Sequence, residues 1–309
     1  MNKKIVFMGT SDFAVPILKS LYQNGYPILA VYTQPPKKSN RGQKINKSPI
    51  HIFSETLSYD VRTPFTLKNN DQEKKYFKNL ELDLVIVVAY GQIIPKEYLN
   101  LSKKGFINIH ASQLPKWRGA APIQRSLMNL DEETGISIMK INEKMDEGPI
   151  YDTFSMQIGK NQNAQDLSEK LANLASEKIL NCLEDIFENK AVFKNQDHNI
   201  ATYAKKINKS EGKISWKENA NKIIGKINGL YPFPGAWFSY KGERYKILKA
   251  EFSNAKGTPG IIISENFEIA CGDFSIKLIE IQREGKKSQN IKEFILGTKI
   301  KKGTDLNNA

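Results

Sequence analysis

Two polar side chains share one face of a short apolar segment. Asn108 and His110 are separated by a single residue in the run that begins at Gly105. Residues two apart in a β-strand point to the same face, so both side chains lie together while Ile107 and Ile109 point away. An amide donor beside an imidazole can stabilise the negative charge that forms when a nucleophile adds to a carbonyl. The alternative is a structural histidine bonded to the backbone, and this pair alone does not decide between the two.

A nearby carboxylate would complete such a pair. The next predicted strand, residues 136–141, leads into a loop that carries Glu143, Asp146 and Glu147. The spacing does not choose among these three acids. Each can equally be a solvated loop charge, which is the commoner state of an acidic residue.

Alternating strands and helices are predicted to position these groups. Apolar runs predict strands at 4–9, 28–32, 84–89, 105–110 and 136–141, and helical spacing occurs at 71–80, 122–129 and 164–188. This alternation is typical of a doubly wound, Rossmann-like parallel sheet, which binds ligands at the carboxyl ends of its strands. The glycine spacings of a dinucleotide site or a P-loop are absent, so a nicotinamide or ATP site is poorly supported.

The pattern changes in the last third of the chain. Residues 190–206 lose periodicity and are interpreted as a linker between a first domain, 1–189, and a second, 207–309. A helix at 218–230 precedes short strands at 244–252, 260–264, 267–271 and 274–282. Short strands separated by turns favour a small β-barrel of the oligonucleotide-binding (OB) type.

The charge favours a polyanionic partner. The net charge is +13, and the residues from Ala201 onward hold 20 basic and 11 acidic side chains. Phosphate contacts by such a segment release counterions and drive binding, although a generally lysine-rich composition gives the same bias. Only Cys182 and Cys271 are present, which excludes a disulfide framework and suits a reducing compartment. No segment approaches the ~20 apolar residues of a membrane span, so we expect a cytoplasmic protein.

The segment from Asn108 to Gln124 closely resembles the signature loop of the formyltetrahydrofolate-dependent formyltransferases. Residues 7–13, 33–35, 87–95 and 145–148 match further motifs of that family in order, and the likeness runs from about residue 3 to about residue 302. The resemblance implies 10-formyltetrahydrofolate as co-substrate, no metal, and a catalytic set of Asn108, His110 and Asp146. It also implies folate contacts at Ser112, Gln113, Leu114, Pro115, Val88, Tyr90, Gly91 and Ile93.

One residue departs from that family pattern. Gln113 stands where these formyltransferases usually have leucine. A folate molecule lying along this loop is expected to contact mostly backbone, so the change should be tolerated. Losing one apolar contact would weaken folate binding by about 1 kcal/mol or more.

Three features favour members of the family that act on methionyl-tRNA. The basic loop at 37–47, within the polar segment 34–49, resembles their tRNA-binding insertion and implies contacts by Lys37, Lys38, Arg41 and Lys44. The basic C-terminal domain, entered at residues 231–238, resembles their tRNA-binding barrel, and relatives that formylate glycinamide ribonucleotide lack such a domain. We therefore expect formyl transfer to the α-amino group of methionyl-initiator tRNA by a monomer. Formyl transfer to a small amine and a catalytically idle RNA-binding protein are the alternatives.

Overall fold

Short aliphatic runs form the strands of the protein. The computed structural model describes residues 3–39 and 44–307. In chain order the strands are β1 (Ile5–Gly9), β2 (Ile28–Tyr32), β3 (Lys37–Ser39), β4 (Lys44–Asn46), β5 (Val61–Arg62), β6 (Leu84–Val88), β7 (Phe106–His110), β8 (Arg118–Gly119), β9 (Glu133–Lys140), β10 (Ile150–Gln157), β11 (Tyr203–Ala204), β12 (Ala236–Tyr240), β13 (Glu243–Ser253), β14 (Glu268–Ala270), β15 (Ser275–Arg283) and β16 (Ser288–Asn290).

The helices follow amphipathic or capped segments. They are α1 (Val15–Gln23), α2 (Pro49–Thr56), α3 (Asp71–Asn79), α4 (Lys96–Leu99), α5 (Pro122–Asn129), α6 (Ala164–Phe187), α7 (Ala220–Leu230) and α8 (Ile291–Gly297). Side chains of Ser48, Asn70 and Asn219 accept from backbone N–H groups at the starts of α2, α3 and α7. These caps satisfy donors that the first turn of a helix leaves unpaired. In the described part of the chain no helix is both long and apolar enough to span a bilayer.

The central sheet has seven strands in the order β10-β9-β7-β6-β1-β2-β5. β1 pairs in parallel with β2 and β6, and β6 in parallel with β7. Both β1 and β6 are buried along their whole length, which explains their uninterrupted apolar sequences. The order of the strands reverses between β1 and β6, where open α/β sheets form a ligand crevice at the carboxyl edge.

The predicted parallel, doubly wound sheet is confirmed as mostly parallel, with an antiparallel pair towards one edge. β9 pairs antiparallel with β7, so that His110 lies opposite Ser137. An antiparallel edge on an otherwise parallel sheet is common in large α/β folds. The sheet also gains β10, which the sequence did not reveal because its partly buried residues lack a clear apolar run.

The basic segment after β2 is not wholly irregular. β3 and β4 pair antiparallel, with Lys37 opposite Asn46 and Lys38 opposite Ile45. The sequence predicts a loop here because the residues are polar and carry no apolar alternation.

The chain divides into two compact units. The first comprises the residues up to Gly119 together with Gly135–Met156 and Ser168–Tyr203. The second comprises Ala120–Thr134, Gln157–Leu167 and the residues from Ala204 onward. The predicted boundaries at 189 and 207 stay a prediction.

The second unit is built on an antiparallel sheet. Its strands lie in the order β12-β13-β15-β14, with β16 on β15. Trp216, Phe238, Tyr245, Phe267 and Phe294 are the large members of its buried core. Residues 260–264, predicted as a strand, form only isolated bridges through Ile261 and Ile262. Closure of this sheet into an OB-type barrel remains a prediction.

Candidate active site

Three predicted catalytic side chains meet in the first unit. Asn108 and His110 lie on β7, and Asp146 lies in the loop after β9. Asn108 Nδ2 donates to Asp146 Oδ1 at 3.4 Å, and His110 Nδ1 lies 3.7 Å from Asp146 Oδ2. The fold therefore brings together an amide, an imidazole and a carboxylate separated by up to 38 residues of sequence.

Asp146 differs in its partners from the other two acids of its loop. Glu143 forms an ion pair with Lys96 at 2.7 Å, and Glu147 lies 3.6 Å from the guanidinium of Arg118. Asp146 instead has a contact with each of the two polar side chains of β7. Of the three acids that the spacing of the sequence left open, Asp146 is therefore the one that contacts both Asn108 and His110.

The His110 ring has an acceptor on each side. Its Nε2 lies 2.9 Å from the carbonyl oxygen of Trp117, and its Nδ1 faces Asp146. The ring is only 6% exposed, so its neighbours are protein groups rather than bulk solvent. A carbonyl oxygen only accepts, so Nε2 carries the hydrogen of this bond. Nδ1 is left facing the Asp146 carboxylate.

The carboxylate of Asp146 has a further anchor in the signature loop. The backbone N–H of Gly119 donates to Asp146 Oδ2 at 2.8 Å. A hydrogen bond to an ionised carboxylate is shorter and stronger than one between neutral groups. One loop thus holds both His110, through Trp117, and Asp146, through Gly119.

A buried serine shapes the predicted folate-binding segment. Ser137 Oγ accepts from the backbone N–H of Leu114 at 2.9 Å and donates to the carbonyl of Ser112 at 2.8 Å. Ser112 Oγ in turn donates to the carbonyl of Lys116 at 2.6 Å. Ser137 is not among the site residues predicted from the sequence, although a polar residue within the apolar run of β9 is a usable signal.

The unusual Gln113 has a defined partner. Its Nε2 donates to Ser155 Oγ on β10 at 2.7 Å, a bond that leucine could not make. Pro115 follows Leu114 through a cis peptide bond, and its carbonyl accepts from Thr202 N at 3.2 Å. The segment from Ser112 to Pro115 is thus bonded to β9, β10 and the chain after α6.

The residues after β6 divide between the core and the sheet edge. Val88 is buried at the end of β6, and the Tyr90 ring belongs to the core beneath the sheet rather than to the edge. The carbonyl of Tyr90 accepts from Thr10 Oγ1 at 2.7 Å, and that of Gly91 from Gln34 Nε2 at 2.7 Å. Ile93 is 81% exposed. The matched motifs at 9–10, 33–35 and 90–91 therefore meet at one edge.

The predicted tRNA contacts of the basic segment are only partly described. Lys37 is exposed on β3, and its Nζ donates to Gln34 Oε1. Arg41 lies outside the described residues, as do the side chains of Lys38 and Lys44. Their proposed role stays a prediction.

The second unit carries cations over an exposed ring, Phe233, and a partly buried one, Trp237, and we call this surface the aromatic–cation face. It consists of Phe233, Trp237, Lys209, Arg244 and Lys246. The Arg244 guanidinium lies 4.0 Å from the centre of the Trp237 ring, and the ammonium groups of Lys209 and Lys246 each lie 5.8 Å from that of Phe233. Phe233 is 66% exposed, and partial burial lowers the pKa of Lys246. Cations and stacking rings are the groups that bind single-stranded nucleic acid.

Known proteins share both the sequence and the fold that carry this geometry. Residues 3–183 match the family model described as formyl transferase, and residues 206–299 match that of the formyl transferase C-terminal domain. The chain is 66% identical to the methionyl-tRNA formyltransferase of Pelagibacter ubique (strain HTCC1062), over the whole of both chains. It belongs to the methionyl-tRNA formyltransferase family. The methionyl-tRNA formyltransferase of Chelativorans sp. (strain BNC1) is 40% identical over 99% of this chain and 100% of its own.

Solved structures of other formyltransferases share the fold of this methionyl-tRNA formyltransferase family member. WlaRD, a sugar 3N-formyl transferase solved with dTDP and 5-N-formyl-THF, superposes with a TM-score of 0.70 at 22% identity, covering 93% of this chain and all of WlaRD. HypX from Aquifex aeolicus in complex with tetrahydrofolic acid gives a TM-score of 0.64 at 14% identity, over 98% of this chain and 51% of HypX. The family expected from the sequence motifs is confirmed.

Proposed function

We propose that this protein transfers the formyl group of 10-formyltetrahydrofolate to the α-amino group of methionine on initiator tRNA, in the cytoplasm. The observation that carries the proposal is the meeting of Asn108, His110 and Asp146 at the carboxyl edge of the central sheet. Full-length relatives named methionyl-tRNA formyltransferase support the choice of acceptor.

The residues at the sheet edge fit a folate co-substrate. The segment from Ser112 to Pro115 is held in one shape by Ser137, Ser155 and Thr202, so its backbone can present a defined surface. Asn108 has a second amide hydrogen besides the one directed at Asp146, which leaves a donor for a formyl oxygen. The co-substrate would supply an activated formyl carbon bonded to a folate nitrogen, and no metal is part of the proposal.

Asn108 and His110 are proposed to stabilise negative charge on the formyl oxygen. Asn108 donates from Nδ2, and protonated His110 donates from Nδ1, which lies 3.7 Å from Asp146 Oδ2 and is not held in a short hydrogen bond. Donors that are already oriented before reaction act strongly in a site with little water. His110 can also pass its proton to the departing nitrogen, a step that general acid catalysis accelerates by ~10²–10⁴-fold.

Asp146 is proposed to orient His110. The Gly119 N–H fixes where the Asp146 carboxylate lies, and that carboxylate faces His110 Nδ1. The attacking α-amino group has an ordinary pKa of about 7.7, so it loses its proton readily near neutral pH. Asp146 accepts that proton directly or through water.

The aromatic–cation face and the basic segment at 34–49 are proposed to bind the tRNA. Each cation that neutralises a phosphate contributes to affinity by releasing counterions. The exposed Phe233 ring offers a surface on which a base of an unpaired strand can stack. Arg41, Lys37, Lys38 and Lys44 are proposed to contact the acceptor stem, as in the family resemblance.

The proposal is tested with purified protein, 10-formyltetrahydrofolate and charged initiator methionyl-tRNA. We expect formylmethionine on the tRNA, measured by acid-gel mobility, with the rate reduced ~10²–10⁴-fold in a His110→Ala variant. Formylation of a small amine but not of methionyl-tRNA would contradict the proposed acceptor and favour formyl transfer to a small amine. Tight tRNA binding with neither formylation nor folate binding would indicate an RNA-binding protein instead.

A further inference from the structure

A buried glutamine beyond α6 uses the whole bonding capacity of its side-chain amide. Gln196 is 6% exposed, and its Nε2 donates to the carbonyls of Asp146 and Gly148, each at 2.8 Å. Its Oε1 accepts from Nε and Nη2 of Arg118 at 3.0 and 2.8 Å. An amide has two donor hydrogens and two acceptor lone pairs, so none is left over. If the amide were reversed, its oxygen would face the two carbonyls and its NH2 group would face the Arg118 guanidinium. The hydrogen-bond partners therefore fix its orientation.

The two carbonyls that Gln196 binds enclose the turn carrying the catalytic carboxylate. Asp146 has a φ of 54°, in the left-handed region that few residues other than glycine adopt. Gly148 lies so close to β9 that a Cβ there would stand 1.8 Å from the carbonyl oxygen of Lys140. The turn therefore packs closely against β9 at Gly148, and Gln196 is hydrogen-bonded to it at both Asp146 and Gly148.

Arg118 holds Gln196 in its turn. The Arg118 side chain is 1% exposed, and its Nη1 lies 3.6 Å from Glu147 and 3.2 Å from His198 Nδ1. A buried guanidinium is costly unless its donors are bonded, so the Oε1 of Gln196 has a strong partner. A continuous chain of hydrogen bonds thus leads from Arg118 through Gln196 to the backbone of Asp146.

We propose that Gln196 is a positioning residue for Asp146. It touches none of the reacting groups and acts by fixing the backbone from which the carboxylate projects towards His110 and Gly119. The catalytic part of this inference rests on the proposed function. The structural part, that Gln196 sets the place of the carboxylate, does not.

The sharpest test is Gln196→Glu. The new carboxylate keeps the pairing with Arg118 and strengthens it by its negative charge. The exchange also removes both N–H donors, so that an anionic oxygen faces the carbonyls of Asp146 and Gly148. We expect kcat to fall about 10²-fold, the cost of displacing a reacting group by about 1 Å, with KM for folate and tRNA nearly unchanged. If Gln196 served only to satisfy Arg118, the variant would keep wild-type kcat, and that result would overturn the inference.

Gln162→Glu is the matched control. Gln162 is also 6% exposed, and its Nε2 has no hydrogen-bond partner among the described residues, so the exchange removes no bond to the catalytic turn. We expect its kcat to stay within about twofold of wild type, since an exchange at a residue that contacts none of the site residues acts mainly on stability. A loss matching that of Gln196→Glu would show that any buried glutamate has the effect, and would overturn the inference.

A double-variant cycle separates positioning from an independent role. If Gln196 acts through the Asp146 carboxylate, Gln196→Glu should reduce kcat by less than about threefold in an Asp146→Asn background. The full ~10²-fold loss in that background would show that Gln196 acts elsewhere.

Hydrogen exchange gives a readout that does not require activity. The Gly119 N–H donates to Asp146 Oδ2, so displacement of the carboxylate should expose it and speed its exchange, by about tenfold or more, in Gln196→Glu but not in Gln162→Glu. If the wild-type protein formed no formylmethionine, the proposed function would be refuted. Faster exchange of the Gly119 N–H in Gln196→Glu would still support positioning. Unchanged exchange would overturn positioning whatever the activity.

Discussion

The sheet edge that carries the candidate active site in the first unit and the aromatic–cation face of the second unit are built in opposite ways. At the edge, His110, Arg118, Ser137 and Gln196 are all at least nine-tenths buried, and each has two or more polar contacts. At the face, Phe233 is 66% exposed and its cations lie over rings rather than pair with carboxylates. Chemistry on one carbonyl needs fixed donors, whereas binding a polyanion needs charge and ring surface that adapt to it.

The largest effect is expected at the centre of the edge. Asp146→Asn keeps the shape of the side chain but removes the charge that orients His110. We expect kcat to fall ~10²–10⁴-fold in the tRNA formylation assay. Asp152→Asn, an exposed change on β10, is the control and should keep full activity. A nearly active Asp146→Asn protein would show that the edge tolerates loss of its charge.

The next effect concerns the support of the folate segment. Ser137→Ala leaves the Leu114 N–H without its acceptor and frees the Ser112 carbonyl. We expect the free energy of unfolding to fall by about 1–3 kcal/mol, and KM for 10-formyltetrahydrofolate to rise more than kcat falls. Urea denaturation and initial-rate kinetics measure the two. Ser126→Ala, which removes a buried hydroxyl bonded to the Ile123 carbonyl, should lower stability without changing this KM.

Substitutions in the aromatic–cation face should weaken tRNA binding in proportion to the number of phosphate contacts that are lost. Replacing Arg244 and Lys246 with glutamine is expected to reduce the slope of log K against log[salt] for tRNA binding by about 0.7–0.9 for each phosphate that is no longer neutralised. Filter binding at several salt concentrations measures this slope, and kcat at saturating tRNA should stay near wild type. Exposed Lys277 and Lys292, changed to glutamine together, are the control. Equal reductions from both pairs would show that the face has no special part in binding.

The smallest effect is expected from an ion pair of the second unit that lies outside the aromatic–cation face. The hydrogen bonds from Arg125 lower the pKa of Glu211, which accepts from Arg125 Nη1 at 2.6 Å. A lowered folded-state pKa adds stability above the unfolded value of about 4.3, and this stability is lost as pH falls through the folded pKa. Glu211→Gln should therefore cost about 1 kcal/mol at pH 7, measured by thermal unfolding, and much less at pH 3. A pH-independent cost would contradict this linkage.

Short-range sequence patterns predicted those features of the fold that neighbouring residues determine, namely the strands and the faces of their side chains. The period of two placed Asn108 and His110 on one face, and the apolar runs located β1, β2, β6 and β7 within one residue at each end. The same patterns missed β12, although four of its five residues are apolar or aromatic.

Long-range bonds could not be predicted in this way. The choice of Asp146 over Glu143 and Glu147 came from the family resemblance and from the folded geometry, since all three acids are local equivalents. Gln196 lies 50 residues from Asp146 and 78 from Arg118, in a segment without periodicity. Only folding tells which polar residue of an irregular segment becomes buried.

The backbone beyond α6 returns to the signature loop. Thr202 N donates to Pro115 O, Thr202 O accepts from Arg118 N at 2.9 Å, and Thr202 Oγ1 accepts from Trp117 N. A gene fragment that stops at codon 189 would therefore express Asn108, His110 and Asp146 without the segment that is hydrogen-bonded to the signature loop. Any shortened protein that is meant to contain this site should extend through Tyr203, so that the hydrogen bonds between Thr202 and the signature loop are kept.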